Sequence, residues 1–144
     1  MKNNINKVFA RFYRVSAKSN LKLTPELIET IIGLILGDLH AEKRNLSSNA
    51  RLQFKQSSKN KDYVDHLYNL FKEYCGSEPI ETSWFDSRPN RNKTYSSIKF
   101  STFSLPCFNV FRSMFYDSTG VKFIPNDLED HLTARSLAYW AMDD

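Results

Sequence analysis

Two acids, Asp38 and Asp144, each close an apolar run that carries small residues at helical spacing: Ile31-Ile32-Gly33-Leu34-Ile35-Leu36-Gly37-Asp38 and Leu137-Ala138-Tyr139-Trp140-Ala141-Met142-Asp143-Asp144. On a helix, each run puts a packing stripe along the rod and a carboxylate at its C-terminal tip. The helix dipole opposes a carboxylate there. Such an acid is therefore either compensated by something positive or exposed to solvent. If the two rods lie side by side, both acids arrive at one end. A carboxylate pair with little else to neutralise it suits a hard divalent cation such as Mg²⁺, which takes oxygen ligands at roughly 2.0–2.1 Å. The plainer alternative is a pair of core helices that each end in Asp, and the repetition of the pattern weighs against it.

The first rod has a clear start in Thr24-Pro25-Glu26, with Thr as N-cap, Pro at the first helical position and an acid in the first turn. Gly33 and Gly37 leave a bare stripe on it. Each Gly weakens a helix by about 1 kcal/mol, so a close partner helix is the natural compensation. Leu132-Thr133-Ala134 starts the second rod, with Ala138 and Ala141 as its small residues. Between the rods the pattern changes. Ala50, Leu52 and Phe54 alternate with Arg51, Gln53 and Lys55, which predicts a strand with one apolar and one polar face; Leu39 to Arg44 would be its partner across the loop 45–49. A second strand pair is predicted at Ile80 to Phe85 and Thr94 to Phe103, joined by the basic turn Arg88-Pro89-Asn90-Arg91-Asn92-Lys93. Helices are predicted from Lys61 to Tyr74 and from Leu105 to Phe115. The order is helix, hairpin, helix, hairpin, helix, then the second rod: an α+β fold with helices on one face of an antiparallel sheet.

A chain of 144 residues that is 41% hydrophobic can bury a core as one domain. Its 20 Lys and Arg against 16 Asp and Glu leave a modest positive excess, compatible with a polyanionic partner without demanding one. Cys75 and Cys107 have neither metal-ligand spacing nor a disulfide framework and read as reduced core residues. His40, His66 and His131 likewise lack paired ligand spacing. No apolar run is long enough to suggest a membrane span. Residues 1–20 carry Lys2, Lys7, Arg11, Arg14 and Lys18 and no acid, which reads as a targeting peptide or, the preferred alternative, a basic arm that touches nucleic-acid phosphates.

The two acid-terminated runs resemble the paired motifs of the LAGLIDADG homing endonucleases, and more closely those of the monomeric, two-motif branch encoded in organellar introns. Gln53-Phe54-Lys55, the stretch from Asn60 to His66, and Lys122-Phe123-Ile124-Pro125-Asn126 lie between the motifs as further landmarks. The resemblance covers about residues 24–144. Leu36 and Leu39 depart from the consensus, which has an earlier acid and a final glycine there. The resemblance implies an αββαββα domain whose open sheet face forms a saddle over the DNA major groove. It divides the chain into a basic arm (1–23), the endonuclease domain (24–131) and a second motif helix (132–144) that would begin a further domain.

It also implies roles. Asp38 and Asp144 would hold Mg²⁺, with Mn²⁺ as a substitute, for phosphodiester hydrolysis, and Lys122 would stand near the scissile phosphate. Asp143 precedes the metal acid and ranks behind it. Arg44, Arg51, Gln53, Lys55 and Lys99 would face DNA bases, since Arg pairs with guanine and Gln with adenine in the major groove. Arg88, Arg91 and Lys93 would contact backbone phosphates. The implied function is site-specific cleavage of double-stranded DNA in an organelle, the mitochondrion first. The sequence stops at Asp144, where the resemblance implies a second domain, so it reads as a fragment or a shortened homologue; if it is complete, cleavage by a lone chain is not expected, and a complementary C-terminal fragment or self-association through the motif helices would complete the site. An RNA-binding derivative of the fold, a group I intron maturase or an organellar ribonucleoprotein component, is the alternative. A basic α+β domain without catalysis is the third.

Overall fold

A computed structural model of the chain describes residues 18–143. The reading of a basic arm falls mostly on residues 1–17, which lie outside the described residues, as does Asp144. Helix α1 spans Pro25–Leu36, and Thr24 caps it by accepting the Leu27 amide at 3.2 Å. It is followed by β1 (His40–Glu42), β2 (Arg51–Ser57), α2 (Lys61–Phe71), β3 (Ile80–Asp86), β4 (Lys93–Ser101), α3 (Asn109–Phe115) and α4 (Ala134–Met142). The α+β order is the expected one, with two adjustments. Strand β1 is shorter than predicted, because the Asn45 side chain accepts from the Ser47 amide and both serine hydroxyls and folds the chain into a turn that leaves Arg44 in the loop. Helices α2 and α3 are also shorter than predicted, since single 3₁₀ turns extend α2 to Tyr74 and precede α3 at Pro106–Phe108.

The strands form one antiparallel sheet in the order β1-β2-β4-β3. Its register places Lys55 opposite Lys99, and Lys99 opposite Ile80, on a single face. On the other face Leu52, Phe54, Ile98 and Phe100 are buried beneath the helices. Phe54 stacks on Phe100 with ring centroids 4.3 Å apart and meets Phe71 of α2 at 5.0 Å. Phe108, Phe111 and Phe115 fill the core from the α3 side. Among the described residues, helices therefore cover one side of the sheet and leave the far side open.

The second half of the first helix is buried: Ile31, Ile32, Leu34 and Ile35 are at most 5% exposed. Helix α4 lies along it, running the same way. Gly33 faces the Ser136 backbone and Gly37 faces the Asp143 side chain so closely that a Cβ at either glycine would overlap its neighbour. Two further contacts fix this approach, the Ser136 hydroxyl donating to the Glu29 carbonyl at 2.7 Å and Arg135 pairing with Glu29 at 3.2 Å, while the Thr133 hydroxyl caps α4 by accepting the Ser136 amide at 3.1 Å. Gly33→Ala should therefore destabilise the protein by about 2–3 kcal/mol in urea unfolding, since backbone rather than a movable side chain stands in the way. Leu46→Ala, at a side chain 95% exposed, should stay within about 0.5 kcal/mol of the parent.

Candidate active site and nucleic-acid interface

The parallel packing of α1 and α4 brings the ends of the two motifs together. Helix α1 stops at Leu36, and Asp38 stands in the turn that follows, which the Leu39 amide closes on the Leu34 carbonyl at 3.1 Å. Asp38 is exposed. The acid that reaches it among the described residues is Asp143. One Asp143 carboxylate oxygen, Oδ2, accepts the Asp38 backbone amide at 3.1 Å, and the other, Oδ1, accepts the Tyr63 hydroxyl at 3.1 Å. Asp143 thus acts as a clamp on the turn that carries Asp38. Burial raises its pKa above the ordinary carboxylate range; its two donors and Lys122 pull the other way, and the Asp38 charge adds to the rise. The Tyr63 phenol is likewise raised, first by burial and then by Asp143.

Lys122 approaches from the opposite side. An isolated bridge between Tyr116 and Lys122, with the Phe123 amide donating to the Phe115 carbonyl at 2.9 Å, holds its backbone after α3. Its ammonium donates to the carbonyls of Gly37 at 3.1 Å and Leu39 at 3.0 Å, straddling Asp38. Those carbonyls lie at the negative end of α1, so the lysine supplies the compensation that a C-terminal acid requires. Desolvation lowers the Lys122 pKa, while Asp38 and Asp143 oppose that shift. A narrow cleft of about 10 Å³ opens beside these groups, with Asp38, Lys55, Gln56 and Asp143 among its lining, enough for about one water.

Among the described residues no three His, Cys, Asp or Glu side chains cluster to hold a metal unaided. The donor set nevertheless fits Mg²⁺, which is commonly held by one or two carboxylates completed by water and substrate phosphate. Asp38 is the exposed carboxylate available for that, whereas both oxygens of Asp143 already accept hydrogen bonds.

Of the residues predicted to face nucleic acid, Lys55 and Lys99 stand side by side and exposed on the open sheet face. Arg51 and Gln53 share that face but are held by Glu42: Arg51 forms an ion pair with it, and Gln53 donates to it at 3.3 Å. Arg44 is exposed in the loop after β1, and Arg91 and Lys93 are exposed at the β3–β4 turn. Arg88 is tied back to Asp86 through two bonds of 2.9 and 2.6 Å. Sequence reasoning missed the aromatic floor beneath these cations. Trp84 stacks on Tyr95 at 5.9 Å; the Lys55 ammonium lies 5.8 Å from the Trp84 ring, and that of Lys93 lies 5.7 Å from the Tyr95 ring. The alternation of Thr82 and Trp84 in β3 was the available signal. The histidines are structural in their contacts: His40 with Tyr116, His66 with Tyr139, His131 with Asp127.

Residues 28–144 match the LAGLIDADG DNA endonuclease family. The chain belongs to that family. It is similar to the cytochrome b mRNA maturase bI2 of Debaryomyces hansenii, at 34% identity over 87% of this chain and 47% of that protein. It is also similar to the probable intron-encoded endonuclease 1 of Wickerhamomyces canadensis, at 32% identity over 81% of this chain and 48% of that one. Its fold matches that of the homing endonuclease I-WcaI bound to its DNA recognition sequence, with a TM-score of 0.78 and 32% identity over 88% of this chain and 54% of that chain. This LAGLIDADG chain thus spans about half the length of these relatives.

The raised Asp143 pKa carries a pH signature. A carboxyl whose pKa is higher in the folded state stabilises the fold fully below its unfolded value, about 3.9, and that contribution is lost as pH rises through the folded value. Asp143→Asn removes this ionisation while keeping one acceptor. The melting-temperature difference between variant and parent should therefore shift in favour of the variant as pH is raised from about 3.5 toward neutrality.

Proposed function

We propose that this chain forms half of a site-specific DNA endonuclease, hydrolysing phosphodiester bonds of double-stranded DNA with Mg²⁺. The observation that carries this reading is the exposed Asp38 carboxylate, clamped through its own amide by Asp143 and flanked by Lys122, at the end of two packed motif helices. Asp38 would hold the metal, and Asp144 would supply the second carboxylate. Bound there, Mg²⁺ supplies an activated water and a counter-charge for the phosphorane-like transition state. Asp143 fixes the Asp38 backbone. Lys122 places a positive charge where a non-bridging phosphate oxygen gathers negative charge.

Target binding would use the open sheet. Lys55, Lys99, Lys93, Arg91 and Arg44 provide cations free to meet phosphates, while Glu42 pre-orients Arg51 and Gln53 for base edges. That the neighbouring I-WcaI structure is bound to its DNA recognition sequence supports this use of the sheet. The other half of the saddle would come from a complementary segment or a second copy on the outer face of α4, where Leu137 and Met142 are 48% and 49% exposed. Similarity to cytochrome b mRNA maturases supports origin in an organelle, most directly the mitochondrion, and favours one second reading: binding of intron RNA without cleavage.

An assay on duplex DNA carrying a candidate intron-insertion site tests the proposal. Linear product should need Mg²⁺ and fall roughly a hundredfold or more in Asp38→Asn, with binding retained. Structured-RNA binding in the absence of any cutting would overturn cleavage in favour of the maturase reading. Replacing Lys55 and Lys99 together by Ala should flatten the slope of log affinity against log salt by roughly 1.8, about 0.9 for each phosphate that a lysine no longer neutralises.

A further inference from the structure

The open face of the sheet carries an apolar island among its cations. Strand β3 lies at the sheet's edge beyond β4, and Ile80 to Phe85 are exposed along it. The register sets Thr82 opposite Ser97 and Trp84 opposite Tyr95, on the same side as Lys55 and Lys99. Ser97 is only 5% exposed although no helix among the described residues covers that side, so the side chains around it shield it. Trp84 is one of them, yet stays 48% exposed itself. Its ring lies against Tyr95 at an interplanar angle of 23°, and the Lys55 ammonium stands over it. A base stacking on the indole would have to displace one of these neighbours; a smaller apolar group would not.

Trp84 points away from the core, and its exposed hydrocarbon surface costs free energy while it faces water. Its setting names what would cover it. Lys55 and Lys99 stand exposed beside it, and the Lys93 ammonium lies over the Tyr95 ring, so positive charge surrounds an apolar centre. In the DNA major groove, thymine presents a C5-methyl group together with an acceptor, O4. An indole beside an ammonium complements that combination. We propose that Trp84, backed by Tyr95, is a specificity-determining residue that reads thymine through its 5-methyl group when the open sheet enters the major groove of the target. The assignment rests on the reading of that sheet as the surface that meets duplex DNA. It also bears on the choice between DNA and RNA: uracil lacks the methyl group, and the major groove of an RNA helix is too deep and narrow for side chains to read.

Selection of a randomised DNA duplex library on the full chain, followed by exchange of each thymine of the enriched duplex for deoxyuridine, tests the assignment. At the thymine that Trp84 meets, the exchange should weaken binding by the parent about fourfold, the worth of one buried methyl group. In Trp84→Ala the same exchange should have no effect, while exchanges elsewhere act as in the parent. Trp84→Phe should retain the sensitivity, and the salt slope should be equal in all three proteins, since no phosphate contact is lost. An equal response of parent and Trp84→Ala to deoxyuridine at every position would overturn the assignment and leave the DNA reading of the sheet standing. So would a Trp84→Ala loss that is larger on single-stranded DNA than on duplex, which would make the ring a stacking platform. Absence of any sequence enrichment from the duplex library would instead overturn the use of the sheet on DNA, and this assignment with it.

Discussion

The close approach of α1 and α4 is the constraint from which the acid site follows. Two helices that run the same way bring their negative ends together, and here each end also carries a carboxylate. Left alone, that concentration of negative charge would push the helices apart. It is held because Gly33 and Gly37, with no Cβ, leave room for the Ser136 backbone and the Asp143 side chain to pack directly on α1. Asp143 turns part of the repulsion into a bond by accepting the Asp38 amide, and Tyr63 and Lys122 absorb what remains. The Asp38 carboxylate itself stays exposed.

The sheet is organised by the complementary choice. Two of its arginines are neutralised within the domain, Arg51 by Glu42 and Arg88 by Asp86. Each bond fixes a planar guanidinium in one orientation, which suits selective recognition and lowers the ordering cost of a contact. The lysines are treated differently. Lys55 and Lys93 rest over Trp84 and Tyr95. A cation–π contact at an exposed site is worth about 0.5–1 kcal/mol and yields easily to a phosphate. The face therefore combines positioned groups with mobile charge.

Much of this was legible in the chain because it depends on period. Helical spacing and the Thr24-Pro25 cap gave α1, two-residue alternation gave β2 and β4, and the small residues of the two acid-ended runs pointed to helices that pack together. What could not be read depends on contacts between distant residues. Tyr63 and Asp143 are 80 positions apart, so the phenol looked like one more member of an apolar stripe, although a buried tyrosine hydroxyl requires a partner. The doubled acid Asp143-Asp144 was ambiguous for the same reason, since only packing against Gly37 shows that Asp143 turns inward. The pairing of Arg51 with Glu42 was hidden by the loop that reverses the chain between them.

Helix α4 shows how far the site depends on its surroundings. It has nine residues, too few to persist alone in water, and only Ser136 and Tyr139 are buried on it. Its position rests on the Thr133 cap, on the Glu29 bonds and glycine contacts with α1, and on the bonds joining Tyr139 to His66 and Asp143 to Tyr63 of α2. The opposite side, with Leu137 and Met142, remains half exposed. Any body that covers it would add apolar burial to a helix now held from one side, and would restrain the clamp that Asp143 places on Asp38. Because that clamp acts through a backbone amide rather than through the Asp38 carboxylate, such bracing would sharpen the position of Asp38 without engaging its carboxylate oxygens. Packing on the outer face of α4 and order at the acid site are thus coupled by one hydrogen bond at the end of α1.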